Sequence, residues 1–186
     1  MNWGDFKNNV LELGFQEEFN SEDEVVRATN RALTLLSTME PKEKVYTYNN
    51  LDNSDSVYVT LDMSTISDYS SKSNKLPKQG NELISGAFYE VDTLYIPNEI
   101  KGNISVFYNA TPNKITITSL DIENIDLKEE LIPFLQLLTA YFMWLDDDER
   151  KAITYYNQFQ ESYNYYKQNT YIDKPTIARV IGGIDI

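Results

Sequence analysis

Four consecutive carboxylates, Asp146, Asp147, Asp148 and Glu149, form the longest acidic run in the chain and its first candidate for chemistry. Hard divalent cations take oxygen donors, but a calcium loop spaces them along the chain around a glycine. This run has neither the spacing nor the glycine. Acids also gather where a helix begins, because the unpaired N–H groups there carry partial positive charge. Asp146 and Glu149 stand three apart, as in a capping box, so the run reads as a helix start. No metal ligand is assigned.

Other reactive constellations are missing for want of atoms. The sequence has no cysteine and no histidine. That excludes disulfides, thiolate nucleophiles, zinc sites built on Cys or His, and histidine triads or general bases within this chain. Glycoside hydrolysis needs only two carboxylates, yet no particular pair stands out among the 29 acids. The glycines form neither GxGxxG nor GxxxxGK[ST], so no phosphate-cradling loop is present. The expectation is a protein with no catalytic residue and no cofactor.

What the chain has instead is tyrosine, 14 of them beside 8 Phe and 2 Trp. Tyr155, Tyr156, Phe159, Tyr163, Tyr165 and Tyr166 crowd one stretch. Within it Ala152, Tyr156, Phe159, Tyr163 and Tyr166 follow alternating steps of four and three, the spacing of a helical packing seam. Such a seam serves either of two purposes. Tyr156, Phe159, Tyr163 and Tyr166 could line a subunit interface, where tyrosine is enriched, or pack on the preceding helix that ends at Trp144. Tyrosines could also stack on sugars. Six of the 14 lie on predicted helices; in the β block Tyr89, Tyr95 and Tyr108 are the strong candidates for a β-face lectin.

The elements that position these residues fall into three blocks. A first helix is expected over 5–13, with Asp5 as cap and Gly14 as stop. A second opens with the Ser21/Glu24 capping box and repeats Val25, Ala28, Ala32, Leu36 and Met39 at helical spacing until Pro41. The period then changes to two: Val57, Val59 and Leu61 alternate with polar residues. Further strands are expected at 45–48, 88–96, 104–108 and 115–118, the last two joined as a hairpin at Thr111-Pro112-Asn113. Residues 67–81, rich in Ser, Lys and Asn, read as a mobile loop. Helices resume after Asp126, with Pro133 in the first turn of a helix to Leu145 and a short turn at 127–131 before it. The last helix runs to about Gln168. The fold class is therefore α+β: a helical body (1–44 and 121–169), an inserted antiparallel β block (45–120) and an extended tail (170–186). In the tail Ile177, Val180, Ile181, Ile184 and Ile186 are costly to leave in water, so docking on another chain is expected, an added strand on an open sheet edge being one way to do it.

The balance of 16 Lys+Arg against 29 Asp+Glu gives a net charge of −13. A protein that grips nucleic acid by neutralising phosphates should be basic. Such a balance by itself is ordinary solubility charge; as a wall it would let a polyanion slide past without sticking. No apolar run approaches the roughly 20 residues of a membrane helix, and no secretory signal is visible at the N-terminus.

Three segments resemble one family. EDEVVRATNRALTLLSTM (22–39), DTLYIPNEIKGNISVFYNATPNKIT (92–116) and ELIPFLQLLTAYFMWLDDDERKAITYYNQFQESY (130–163) are similar, in content and order, to the opening helix, the strand segment and the paired closing helices of head–tail connector (adaptor or neck) proteins of tailed bacteriophages. The resemblance implies a structural virion protein at the capsid–tail junction, made in the bacterial cytoplasm. It implies a ring of copies below the portal protein, twelve-fold in that family, that receives tail or stopper proteins and continues the DNA channel without binding DNA specifically. It also implies that the tail, Ile177 to Ile186, engages the portal. From the residues alone, a carbohydrate- or host-surface-binding module and another neck or tail-completion protein remain alternatives.

Overall fold

The computed structural model describes residues 1–13, 15 and 22–172. Gly14, Ser21 and the apolar tail lie outside them. The architecture is α+β, with two hydrophobic cores that share no residue.

The helical core is built from both ends of the chain. Helix α1 (Trp3–Leu11) starts earlier than Asp5 and is capped by Asn2, whose side chain accepts from the Asp5 N–H at 2.8 Å. The apolar stripe explains the shift: Trp3, Phe6 and Val10 are all buried, and a helix opening at Asp5 would leave Trp3 outside it. Helix α2 (Glu22–Met39) buries Val25, Ala28, Ala32 and Leu36 as the spacing predicts, and Val26, Thr29 and Leu33 besides. Helix α3 (Ile132–Trp144) carries Pro133 in its first turn, preceded by a 3₁₀ turn at Glu129–Leu131. It is apolar almost all round because α1, α2 and α4 (Glu149–Ile172) all pack on it. No described helix is long and apolar enough to cross a membrane.

The β block is two antiparallel sheets. Strand β1 (Lys42–Asn50) pairs along its whole length with a late strand, β8 (Gly102–Ala110). Between them in sequence come β2 (Tyr58–Asp62), β3 (Tyr69–Lys72), β4 (Lys78–Gln79), β5 (Glu82–Leu83), β6 (Phe88–Glu90) and β7 (Thr93–Pro97). The larger sheet runs β1-β8-β4-β5, with β3 also on β8, and the smaller runs β2-β7-β6. Period two is plain in β8, where Ile104, Val106, Tyr108 and Ala110 point inward to meet Val59, Leu61, Leu94 and Ile96.

Four sequence expectations are corrected here. Residues 88–96 are not one strand but the hairpin β6–β7, turned at Val91-Asp92 with Val91 at φ 53°. Residues 67–81 are not wholly a loop: 69–72 form β3 and 78–79 form β4, short strands that bury almost no side chain. Val57, expected to point inward, is 75% exposed. Residues 115–118 form no strand, and no hairpin turns at Pro112. Strand β8 already has β1 on one side and β3 and β4 on the other, leaving no edge free. Ile115 is instead buried in the helical core, its backbone clamped by Asn30, whose amide donates to the Ile115 carbonyl at 2.7 Å and accepts from its N–H at 3.0 Å. The insertion is therefore 42–110, narrower than 45–120, and residues 111–131 return to the body. Its two ends lie side by side, Lys42 opposite Ala110, with the Lys42 ammonium bonded to Asp126 of the returning segment.

Candidate functional site

The aromatic seam of α4 faces inward. Ala152, Phe159 and Tyr163 are buried, and Tyr156 and Tyr166 are half-buried against the same core. Phe134 of α3 receives them edge-on, at 6.4 Å from the Phe159 ring and 5.6 Å from Tyr163, while Phe159 and Tyr163 stack at 5.4 Å. Of the two purposes open to the seam, this conformation uses packing within the chain. Phe159 and Tyr163 present almost no surface in this conformation. Tyr156 and Tyr166 stand at its margin. Ile177, Val180, Ile181, Ile184 and Ile186 lie outside the described residues.

The seam ends in a polar clamp. Glu40, just past α2, accepts from the Tyr163 hydroxyl at 2.8 Å and the Lys167 ammonium at 2.5 Å. Burial alone would raise the Glu40 pKa, but the two hydrogen bonds outweigh it and hold the carboxyl below its ordinary value. Burial and the same carboxylate push Tyr163 up to about 12. Because the folded pKa of Glu40 is depressed, its contribution is complete above the unfolded value, near 4.5, and fades as pH falls through the folded one. Glu40→Gln should therefore lower stability at neutral pH and cost progressively less below that range. Urea midpoints of both proteins across acid pH check this; parallel curves would exclude the clamp as a source of acid lability.

The acidic corner serves the helix. Asp148, not Asp146, caps α4: its carboxylate accepts from the N–H groups of Arg150 at 3.0 Å and Lys151 at 3.2 Å. Among the described residues no three acidic side chains converge as a metal site requires. Of the other shifted carboxylates, Glu43, Asp68 and Asp126 belong to ion pairs, and Asp52 is depressed by hydrogen bonds from the Ser54 N–H and hydroxyl. Hydrogen bonds from Lys44 and Tyr108 depress Asp68, and Lys42 overcomes burial at Asp126. Perturbed titration here marks joints of the fold.

Of the three β-block tyrosines, Tyr108 is buried, with its hydroxyl on Asp68 at 2.8 Å, and Tyr89 is half-buried. Tyr95 reaches the outer face of the small sheet, beside two aromatics that sequence reasoning missed. Phe88 stacks on it at 4.8 Å and 2°, and Tyr58 meets both rings edge-on. Phe88 sits opposite Tyr95 in the β6–β7 register, a cross-strand pair visible only once the hairpin is known. Phe88 and Tyr95 each turn one face to the other. The cluster suits protein contact or sheet support better than a lectin platform.

A scan against protein-family models finds no match to this chain, and a search of curated proteins finds none either.

Proposed function

We propose that this protein is a head–tail connector subunit of a tailed bacteriophage, a structural virion component that forms a ring below the portal and joins capsid to tail. The observation that carries the reading is the architecture: opening helices, a complete antiparallel insertion with its own core, then closing helices that finish the body. The order matches the three segments that resemble the connector family. The net charge of −13 suits the wall of a channel through which DNA slides unbound. In this reading the partners are the portal protein, neighbouring copies, and tail or stopper proteins. The chain acts by assembly and assigns no residue to catalysis. The apolar tail residues, Ile177 to Ile186, are its portal contact.

Electron microscopy of lysates from a phage lacking the gene tests this. Filled or leaking heads beside separate tails are the expected result. Normally joined particles would overturn it and move a host-surface-binding role, probed on a glycan array, to first place. Joined heads with incomplete tails would favour a tail-completion protein instead.

A further inference from the structure

The β block leaves one long edge uncovered. Strand β1 is bonded to β8 on one side only, and its outward N–H and C=O groups have no partner among the described residues. The edges of the smaller sheet, β2 and β6, are five and three residues long. This one is nine, in unbroken register, with no proline, glycine or bulge. Its lysines, the usual guards of an exposed edge, are drawn off into ion pairs, Lys42 with Asp126 and Lys44 with Asp68. The inner face is unfinished as well. Tyr46 and Tyr48 stand opposite Val106 and Ile104, which are fully buried, yet Tyr46 is 38% exposed and Tyr48 only half-buried. The β core stops one strand short.

The chain holds a segment of matching pattern. Fourteen residues follow α4. Among them Ala178, Val180, Gly182, Ile184 and Ile186 recur at every second position, all apolar or without a side chain. That is the period of a strand with one face against a core. The opposite set mixes Ile177 and Ile181 with Arg179 and Asp185, which suits the outer face of β1, where Val45 is 54% exposed.

Helix α4 delivers this segment to the edge. Tyr163 and Lys167 both bond Glu40, two residues before β1, and Tyr166 packs on Phe134 at the opening of α3 with ring centroids 5.3 Å apart. The last turns of α4 thus stand at the end of the body from which β1 departs. Ile172 is five residues beyond Lys167, roughly 7.5 Å along the helix. Matching nine residues of β1 takes nine of the fourteen, and the remaining five span up to about 16 Å for the crossing. Entering at the Lys42 end, the segment runs parallel to β1, since the chain is too short to reach Asn50 first and return.

We propose that in the free subunit residues 178–186 add to the open edge of β1 in their own chain, as a parallel strand that covers Tyr46 and Tyr48. This goes beyond the connector reading and stands on the edge and the segment alone. In a connector, the portal would have to compete for a segment that the subunit has already put away.

Hydrogen exchange resolved by amide, on the purified full chain beside one ending at Ile172, tests it. Strand β1 gives alternate amides to β8 and turns the others outward. The outward set should exchange roughly 10- to 100-fold more slowly in the full chain. Amides bonded to β8 and the tryptophan fluorescence should be the same in both. Val180→Pro/Ile181→Pro keeps the length of the tail but takes the donor from two neighbouring residues, one of which must face β1; it should abolish the slowing. Three results would each overturn the proposal: equal exchange in full and shortened chains, slowing that survives the proline pair, and slowing that fades on dilution because a second copy supplies the strand. Slowing confined to 161–170 of α4 would overturn it too, placing the tail in the groove beside Phe134 and Tyr165. None of these results bears on whether a phage lacking the gene joins heads to tails.

Discussion

Phe159→Ala is expected to cost the helical body about 3–5 kcal/mol, the usual range for emptying a buried phenylalanine site, and to leave the β block folded. Phe159 is 2% exposed and lies between Phe134 of α3 and the Tyr156 and Tyr163 rings of its own helix. The chain offers a convenient reporter. Both tryptophans, Trp3 and Trp144, belong to the helical core, whereas the β core holds none. Tryptophan fluorescence in urea should therefore show an earlier transition in the variant, while hydrogen exchange of β1, β7 and β8 amides stays at the wild-type level. An unchanged fluorescence midpoint would mean that Phe159 contributes little to the stability of the helical core. Joint loss of protection in both regions would mean that the two cores fold as one.

Asn50→Leu is the corresponding test in the β block, with an expected loss of about 1–3 kcal/mol from two partly buried backbone groups left without partners. Asn50 is fully buried at the end of β1. Its amide donates to the Ile100 carbonyl at 2.7 Å, and its oxygen accepts from the Asp52 N–H at 3.1 Å. Asn98 continues the node, donating to the Ser54 carbonyl at 3.0 Å and accepting from the Lys101 ammonium at 2.7 Å. A side chain of similar size but without polar atoms leaves the Ile100 carbonyl and Asp52 N–H with no replacement. Here the tryptophan signal should be unmoved and the exchange protection of β1 and β8 should fall. Protection retained near Asn50 would show that water takes over both bonds.

How much was legible in the sequence follows from which side chains carry a period. Helix α2 announces itself because a core on one side forces recurrence at three and four, whereas α3, apolar almost all round, is marked by its unbroken apolar run and by Pro133 at its start. Strand β8, like α2, is legible by its period, here two. The edges are not. Residues 67–81 alternate nothing, since β3 and β4 bury almost no side chain and are held by main-chain bonds to β8. The expected strand at 115–118 failed in a different way: Ile115 and Ile117 alternate, but one is buried under α2 and the other is 61% exposed. What orders that backbone is a distant side chain, Asn30, and no local pattern reveals it. The same limit hid the open edge of β1, since its flanking strand, β8, lies far off in sequence.

The side-by-side ends of the insertion have a consequence for how this chain is built. Lys42 and Ala110 face each other across one ladder, so the gap left by removing everything between them is about one strand spacing, close to 5 Å. A turn of two residues could bridge that distance. The molecule is topologically one protein nested inside another, with a single doorway of two antiparallel strands. Lineages carrying such a doorway can exchange, enlarge or lose the inner unit without disturbing the wiring of the outer helices, and two chains with the same body can present unrelated β modules to the outside.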